Sequence, residues 1–122
     1  MTGKEYYPDM KKSEKDVAKY LNKLGIDWYY EYPVFIYDDK DRPRVWTPDF
    51  YLPQLKVHLE VCGSDKFDYK YREKLYQDND VSTIFIHHYK ERSEWQKWLR
   101  TQLWELEEKR HKKIVDIVKK LL

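Results

Sequence analysis

Asp49 and Glu60 stand in two short apolar stretches, Val-Trp-Thr-Pro-Asp-Phe-Tyr-Leu over 45–52 and Lys-Val-His-Leu-Glu-Val-Cys over 56–62. A carboxylate in an apolar strand is expensive to bury unless it is paired or holds a cation. Strand side chains alternate between faces, so Val45, Thr47, Asp49 and Tyr51 share one face of the first stretch, and His58, Glu60 and Cys62 one face of the second. If the stretches pair antiparallel with Asp49 nearly opposite Glu60, the two charges repel and the pKa of at least one rises, unless a cation lies between them. Oxygen donors completed by water and a phosphate suit Mg²⁺ or Mn²⁺. Such a centre activates water and neutralises phosphate charge, which is the chemistry of phosphodiester hydrolysis.

Two other chemistries involve the same residues. His58, Glu60 and Cys62 on one face suggest a zinc site completed by His87 or His88, but the chain lacks the paired Cys or His spacing of structural zinc. A Cys62 nucleophile with His58 or His88 lacks a glycine-rich oxyanion turn. Otherwise Cys62 reads as a small buried residue.

The elements that must position the acids follow from the pattern. Ser13 is the expected N-cap of a first helix, with Asp16 three residues on, an apolar face of Val17, Tyr20, Leu21 and Leu24, and Gly25 as its C-cap. Residues before it form an expected, partly ordered arm. Ile26 to Tyr37 reads as a strand bent at Pro33, 38–43 as a turn, Arg44 to Leu52 as the second strand and Lys56 to Cys62 as the third, in a meander. A helix over about 66–79 and a strand over 81–89 complete a crossover that makes the last two strands parallel. From Ser93 onward the chain reads as one long helix or two broken ones, with Trp95, Trp98, Leu99, Leu103 and Leu106 forming one stripe and Ile114, Ile117, Val118 and Leu121 resuming it. The order is α-β-β-β-α-β-α, an α/β class with a mixed sheet.

The 122 residues suffice for one domain, 1–122, and 17% aromatic content sets the chain apart from disordered sequences despite 38% charged residues. A net charge of +2 does not by itself call for a nucleic-acid partner, which leaves local patches to be weighed. With Cys62 as the sole cysteine no internal disulfide forms, which fits a reducing, cytoplasmic setting. No apolar run approaches a membrane span, and the N-terminus lacks a signal-peptide core.

Pro48-Asp49 on one strand, Glu60-x-Cys62 on the next and Glu14 on a preceding helix together resemble the PD-(D/E)XK nuclease superfamily. The layout is most similar to small archaeal or viral nucleases of the Holliday-junction-resolvase type. The likeness spans about 13–89 and implies a restriction-endonuclease-like α-β-β-β-α-β core, extended here by a C-terminal helix over about 93–121. It implies Asp49 and Glu60 as metal-binding acids, Glu14 as a helix glutamate beside the metal, and the Val61 backbone carbonyl as a further ligand. It also implies Mg²⁺ or Mn²⁺ as cofactor and DNA, whether duplex, branched or single-stranded, as substrate.

The superfamily has lysine where this chain has Cys62. That lysine orients the attacking water and stabilises negative charge at phosphorus, which a thiol cannot do. Two readings follow. In one, a metal-dependent endonuclease draws its cation from the next helix, where Lys66, Lys70, Arg72 and Lys74 are candidates and Lys70 and Lys74 stack at helical spacing. Arg72 could instead only contact a phosphate. In the other, the site is degenerate and the chain binds nucleic acid or a protein partner without cutting. The two acids retained on facing strands favour the nuclease.

Partner contacts are weaker signals. Arg42, Arg44 and Lys66 are placed to meet phosphates, with Lys40 beside them. Tyr29, Tyr30, Tyr32, Trp46, Tyr51 and Tyr69 could stack on unpaired bases, although sheet packing accounts for most such residues. The apolar end of the last helix suggests a homodimer that presents two sites. Its final sixteen residues carry six Lys/Arg against three acids, so the segment could also lie along nucleic acid.

Overall fold

A computed structural model describes residues 3–122. The N-terminal segment is more ordered than an arm: Lys4–Asp9 form a 3₁₀ turn, Met10 is buried, and the Tyr6 ring lies 6.1 Å from Trp28 and 6.0 Å from Tyr30. Met1 and Thr2, part of that arm in sequence, lie outside the described residues.

Helix α1 spans Lys12–Leu24 and buries Val17, Ala18, Tyr20 and Leu21 at helical spacing. It ends, as expected, on Gly25, whose φ of 73° suits a residue without Cβ. Its start differs from the expectation. Lys11 occupies the cap position, and the Glu14 carboxylate accepts the Lys11 N–H at 2.9 Å, closing the first turn from three residues on. Asp16 is left free for another partner, the His88 ring at 2.9 Å, which ties α1 to the end of the sheet.

The two long strands expected over 26–37 and 44–52 are each split. The first divides at Glu31–Pro33 into β1 (Tyr29–Tyr30) and β2 (Val34–Tyr37), where Glu31 has a φ of 55° and Pro33 has no N–H to give a ladder. The second divides at Thr47-Pro48-Asp49 into β3 (Pro43–Trp46) and β4 (Phe50–Leu52). The expected meander keeps its order, β1-β4-β5, but only the inner halves of the first two strands belong to it. β2 and β3 pair as a separate antiparallel hairpin, with Phe35 across from Val45, while β1 pairs antiparallel with β4.

The main sheet runs β1-β4-β5-β6, with β5 at Val57–Cys62 and β6 at Thr83–His87. β4 and β5 are antiparallel, with Phe50 opposite Leu59, whereas β5 and β6 are parallel, with Glu60 beside Phe85, as the crossover requires. Helix α2 connects them over Lys70–Asp78, starting later than expected because the Asp68 carboxylate takes the Lys70 N–H at 2.9 Å and leaves 63–69 irregular. With the hairpin set aside, the order is α-β-β-β-α-β, and α3 follows as one unbroken helix over Arg92–Leu121.

Alternation divides the sheet. Phe50, Leu52, Val57, Leu59, Ile84 and Ile86 face α1 and α3 and form the larger core with Trp95, Leu99 and Leu103. Burying each such side chain stabilises the fold by about 1.5–3 kcal/mol. The opposite face carries Cys62 and Phe85 under α2 and the hairpin, with Tyr76 of α2, Trp46 and Tyr69 against them. Among the described residues no helix is long and apolar enough to cross a membrane.

Candidate metal centre

Asp49 lies one residue before β4. Continuing the pairing of Phe50 with Leu59 by one step places it opposite Glu60, on the sheet face under α2. The strand break at Pro48 is what frees Asp49 for this role. Its carboxylate Oδ2 accepts the Val61 N–H at 2.7 Å, and its own N–H donates to Glu60 Oε1 at 3.3 Å. Each acid thus braces the backbone of the other strand where a regular ladder would have ended. From the β1 side, the Glu31 N–H donates to the Asp49 carbonyl at 2.9 Å. A strand residue aims its N–H and C=O at the same neighbour. Val61 therefore directs its carbonyl toward Asp49 as well.

Glu14 joins them from the first turn of α1. It is buried, accepts the Tyr30 hydroxyl at 2.9 Å, and its carboxyl is in hydrogen-bonding reach of Asp49. Three carboxyls thus converge in a place with little water. Burial, then the Glu14 hydrogen bond, and further the Glu60 charge push Asp49 up to about 8. Burial likewise raises Glu60, against the pull of the Arg72 guanidinium. At neutral pH the cluster retains a proton at Asp49, a charge that a divalent cation would replace.

The counter-charge comes from α2. Arg72 Nη1 lies 2.9 Å from Glu60 Oε2, its guanidinium 5.1 Å from the centre of the Trp46 ring, and the Tyr76 hydroxyl donates to the same Oε2 at 3.3 Å. Cys62 is fully buried and its thiol is pushed up to about 12 by burial. It is a neutral thiol at physiological pH, neither a cation nor a repelling thiolate.

The other sequence candidates lie elsewhere. Lys74 donates to Asp78 at 2.8 Å on an exposed face, and Lys66 and Lys70 are exposed. Arg42 and Arg44 both hold the buried Asp38 carboxylate at 3.1 Å, whose pKa falls well below the usual range, the Arg42 N–H being the first cause. These two arginines shape the hairpin turn. Tyr30 and Tyr76 donate to the acids, and Trp46 lies under the Arg72 guanidinium, so these three rings are parts of the acid network. A signal for Arg72 was present: Tyr69, Arg72 and Tyr76 recur at helical spacing on the sheet-facing side of α2, while Lys70 and Lys74 occupy another side.

Among the described residues no group of three or more His, Cys, Asp or Glu side chains is already arranged to hold a metal ion. The reason is visible in the bonding, since the oxygens of Asp49 and Glu60 point to backbone N–H groups, Tyr76 and Arg72. The zinc alternative gains nothing, as His58 lies against Tyr51 and His88 is held by Asp16. No family model, curated protein or solved structure matches the chain.

Proposed function

We propose that this chain is a Mg²⁺- or Mn²⁺-dependent endonuclease of the restriction-endonuclease-like type acting on DNA. The observation that carries the reading is the convergence of Glu14, Asp49 and Glu60 with one guanidinium, Arg72, at a strand break. The all-oxygen donor set fits a hard cation, and the raised Asp49 supports a site that would gain from one. Asp49, Glu60 and the Val61 carbonyl would hold the ion, with Glu14 beside it. When bound, the ion supplies an acidified water and neutralises phosphate charge.

The protein's own groups do the rest. Arg72 takes the part of the missing lysine: it is a cation of α2 over the acid face of the sheet, resting over the Trp46 ring and able to exchange Glu60 for a phosphate oxygen. Lys70, Lys74, Lys66, Arg42 and Arg44 lie farther out and serve at most as phosphate contacts. The α-β-β-β-α-β order with its parallel final pair supports the superfamily assignment. We assign a second copy as the partner of the C-terminal helix, where Ile114 and Leu121 are 60% and 80% exposed; light scattering showing a monomer at high micromolar concentration would remove that assignment.

The test is cleavage of single-stranded, duplex and branched DNA with Mg²⁺ or Mn²⁺, using Asp49→Ala and Arg72→Ala as controls. Metal-dependent cutting lost in both variants is expected. Cutting that survives Asp49→Ala would place the activity elsewhere. Salt-sensitive binding without cutting on any substrate would favour a nuclease-fold module that only binds nucleic acid.

A further inference from the structure

The sheet face that carries the acids continues past them as a row of aromatic rings. Tyr51 follows Asp49 by two residues and His58 precedes Glu60 by two, so both lie on the acid face, one strand repeat, about 7 Å, from the pair. Tyr29 stands opposite Tyr51 across β1 and β4, and Tyr51 opposite His58 across β4 and β5. Tyr32 folds over from the β1–β2 corner and stacks on Tyr51 at 5.0 Å and 23°. It also lies 5.8 Å from Tyr29, and Tyr51 lies 4.6 Å from His58.

This row differs from ordinary packing in two respects. Tyr29 and Tyr32 are 49% and 47% exposed, whereas the tyrosines that serve the cores, Tyr20 and Tyr76, are buried. His58 is buried at the inner end of the row, and its Nδ1 is the one buried side-chain nitrogen or oxygen without a hydrogen-bond partner among the described residues. A polar atom left unsatisfied in a protein interior calls for a reason. Lys56, exposed in the turn beyond the row, places a positive charge at the end opposite the acids.

We propose that Tyr29, Tyr32, Tyr51 and His58 form a stacking platform for unpaired bases, so that the substrate of the acid site is a nucleic-acid segment that is single-stranded next to the scissile phosphate. The inference rests on the nuclease reading for the word substrate, and on the platform geometry alone for binding. Stacked rings accept any base because every base offers a π-face, and a duplex, whose bases are already stacked, offers none. The placement matters: a phosphate at the acids leaves its neighbouring bases over the row.

Fluorescence anisotropy of the full chain in EDTA, with a labelled oligothymidylate and a blunt duplex of equal length, separates the two parts. The wild type should bind the oligothymidylate more tightly than the duplex. Tyr29→Ala and Tyr32→Ala should each weaken oligothymidylate binding about fivefold or more, with Tyr32→Phe near wild type and duplex binding unchanged. Both side chains are half exposed, so circular dichroism should show intact folds; Tyr32→Leu, which keeps bulk without a ring, provides the same readout if alanine unfolds the corner. Equal binding by wild type and the ring-deleted variants, or no preference over the duplex, would overturn the platform. Ring-dependent binding without any metal-dependent cleavage would sink the nuclease reading and leave the platform standing.

Discussion

Replacing Asp49 with asparagine should make this protein more stable while removing its response to metal. The side chain is nearly isosteric; its carbonyl can still accept the Val61 N–H, and its amide can donate to Glu14 or Glu60, which now face a donor in place of a charge. Asp49 is pushed from 3.8 to about 8 by burial, the Glu14 hydrogen bond and the Glu60 charge. Because the folded value lies above the unfolded one, the native state holds a proton that the unfolded chain has released. Stability therefore falls as pH rises from about 4 to about 8 and levels off beyond. At about 1.4 kcal/mol per pH unit, the accumulated cost at pH 7 is roughly 4 kcal/mol. Asparagine has no charge to neutralise, so part of this cost, about 2 kcal/mol, should be recovered, while Glu60 stays raised by its own burial. For a domain of this size that is a rise in Tm of roughly 6–10 °C. Thermal melts from pH 5 to pH 9, with and without Mn²⁺, read both effects: a steep pH dependence in the wild type, a shallower one in Asp49→Asn, and a Mn²⁺-induced rise in Tm in the wild type alone. An asparagine variant that melts lower at pH 8, or follows the same pH dependence as the wild type, would refute the claim that this carboxylate is electrostatically strained.

Four further outcomes follow from the contacts of the structure. Mn²⁺ binding should release about one proton at neutral pH and weaken as pH falls below about 6, since the ion displaces the proton held at Asp49; calorimetry in buffers of different ionisation enthalpy measures it, and a proton count of zero would contradict it. Arg72→Ala should cost cleavage about a hundredfold or more, in line with loss of a preorganised charge-stabilising group. Cys62→Lys alone should destabilise the fold by roughly 2–4 kcal/mol, because it buries a second cation beside Arg72; combined with Arg72→Ala it should recover part of the lost cutting, and a double variant as dead as the single one would mean that the two positions do not share a role. Arg110 donates to the carbonyls of Leu55 and Lys56, tying α3 to the turn before β5. Arg110→Ala should speed hydrogen exchange in residues 107–122 while sparing the turn that holds Trp95 and Leu99.

Which parts of this were legible in the chain follows from the range over which each signal acts. Period-2 alternation in Val57–Cys62, helical spacing in Val17–Leu21 and the glycine at 25 are local, and they are found where the pattern puts them. The two strand breaks were harder to see because Pro33 and Pro48 are each tolerated at a strand edge; what ends the strands is that the following residues change sheets, a tertiary choice. The helix start moved for a related reason. Ser13 and Asp16 form an acceptable cap locally, but Asp16 finds His88, 72 residues away, and Glu14 closes the turn instead. The pairing of Asp49 with Glu60 could be read as possible but not as certain, since a one-residue slip in register would have put them on opposite faces.

Residue type alone does not rank Lys66, Lys70, Arg72 and Lys74 as neighbours of the acids. Direction ranks them. Arg72 is the basic residue of α2 whose side chain lies on the helix face shared with the buried Tyr76, and only that face can reach a carboxylate at the sheet surface. Its guanidinium is also the better group for the position, since it can hold Glu60 and lie over Trp46 at the same time. Arg72→Lys is the sharper test of this reasoning than Arg72→Ala. It keeps the charge but removes the planar fork, so a loss of about tenfold or more in cleavage with little change in Tm would show that geometry, and not charge alone, is what α2 delivers to the acids.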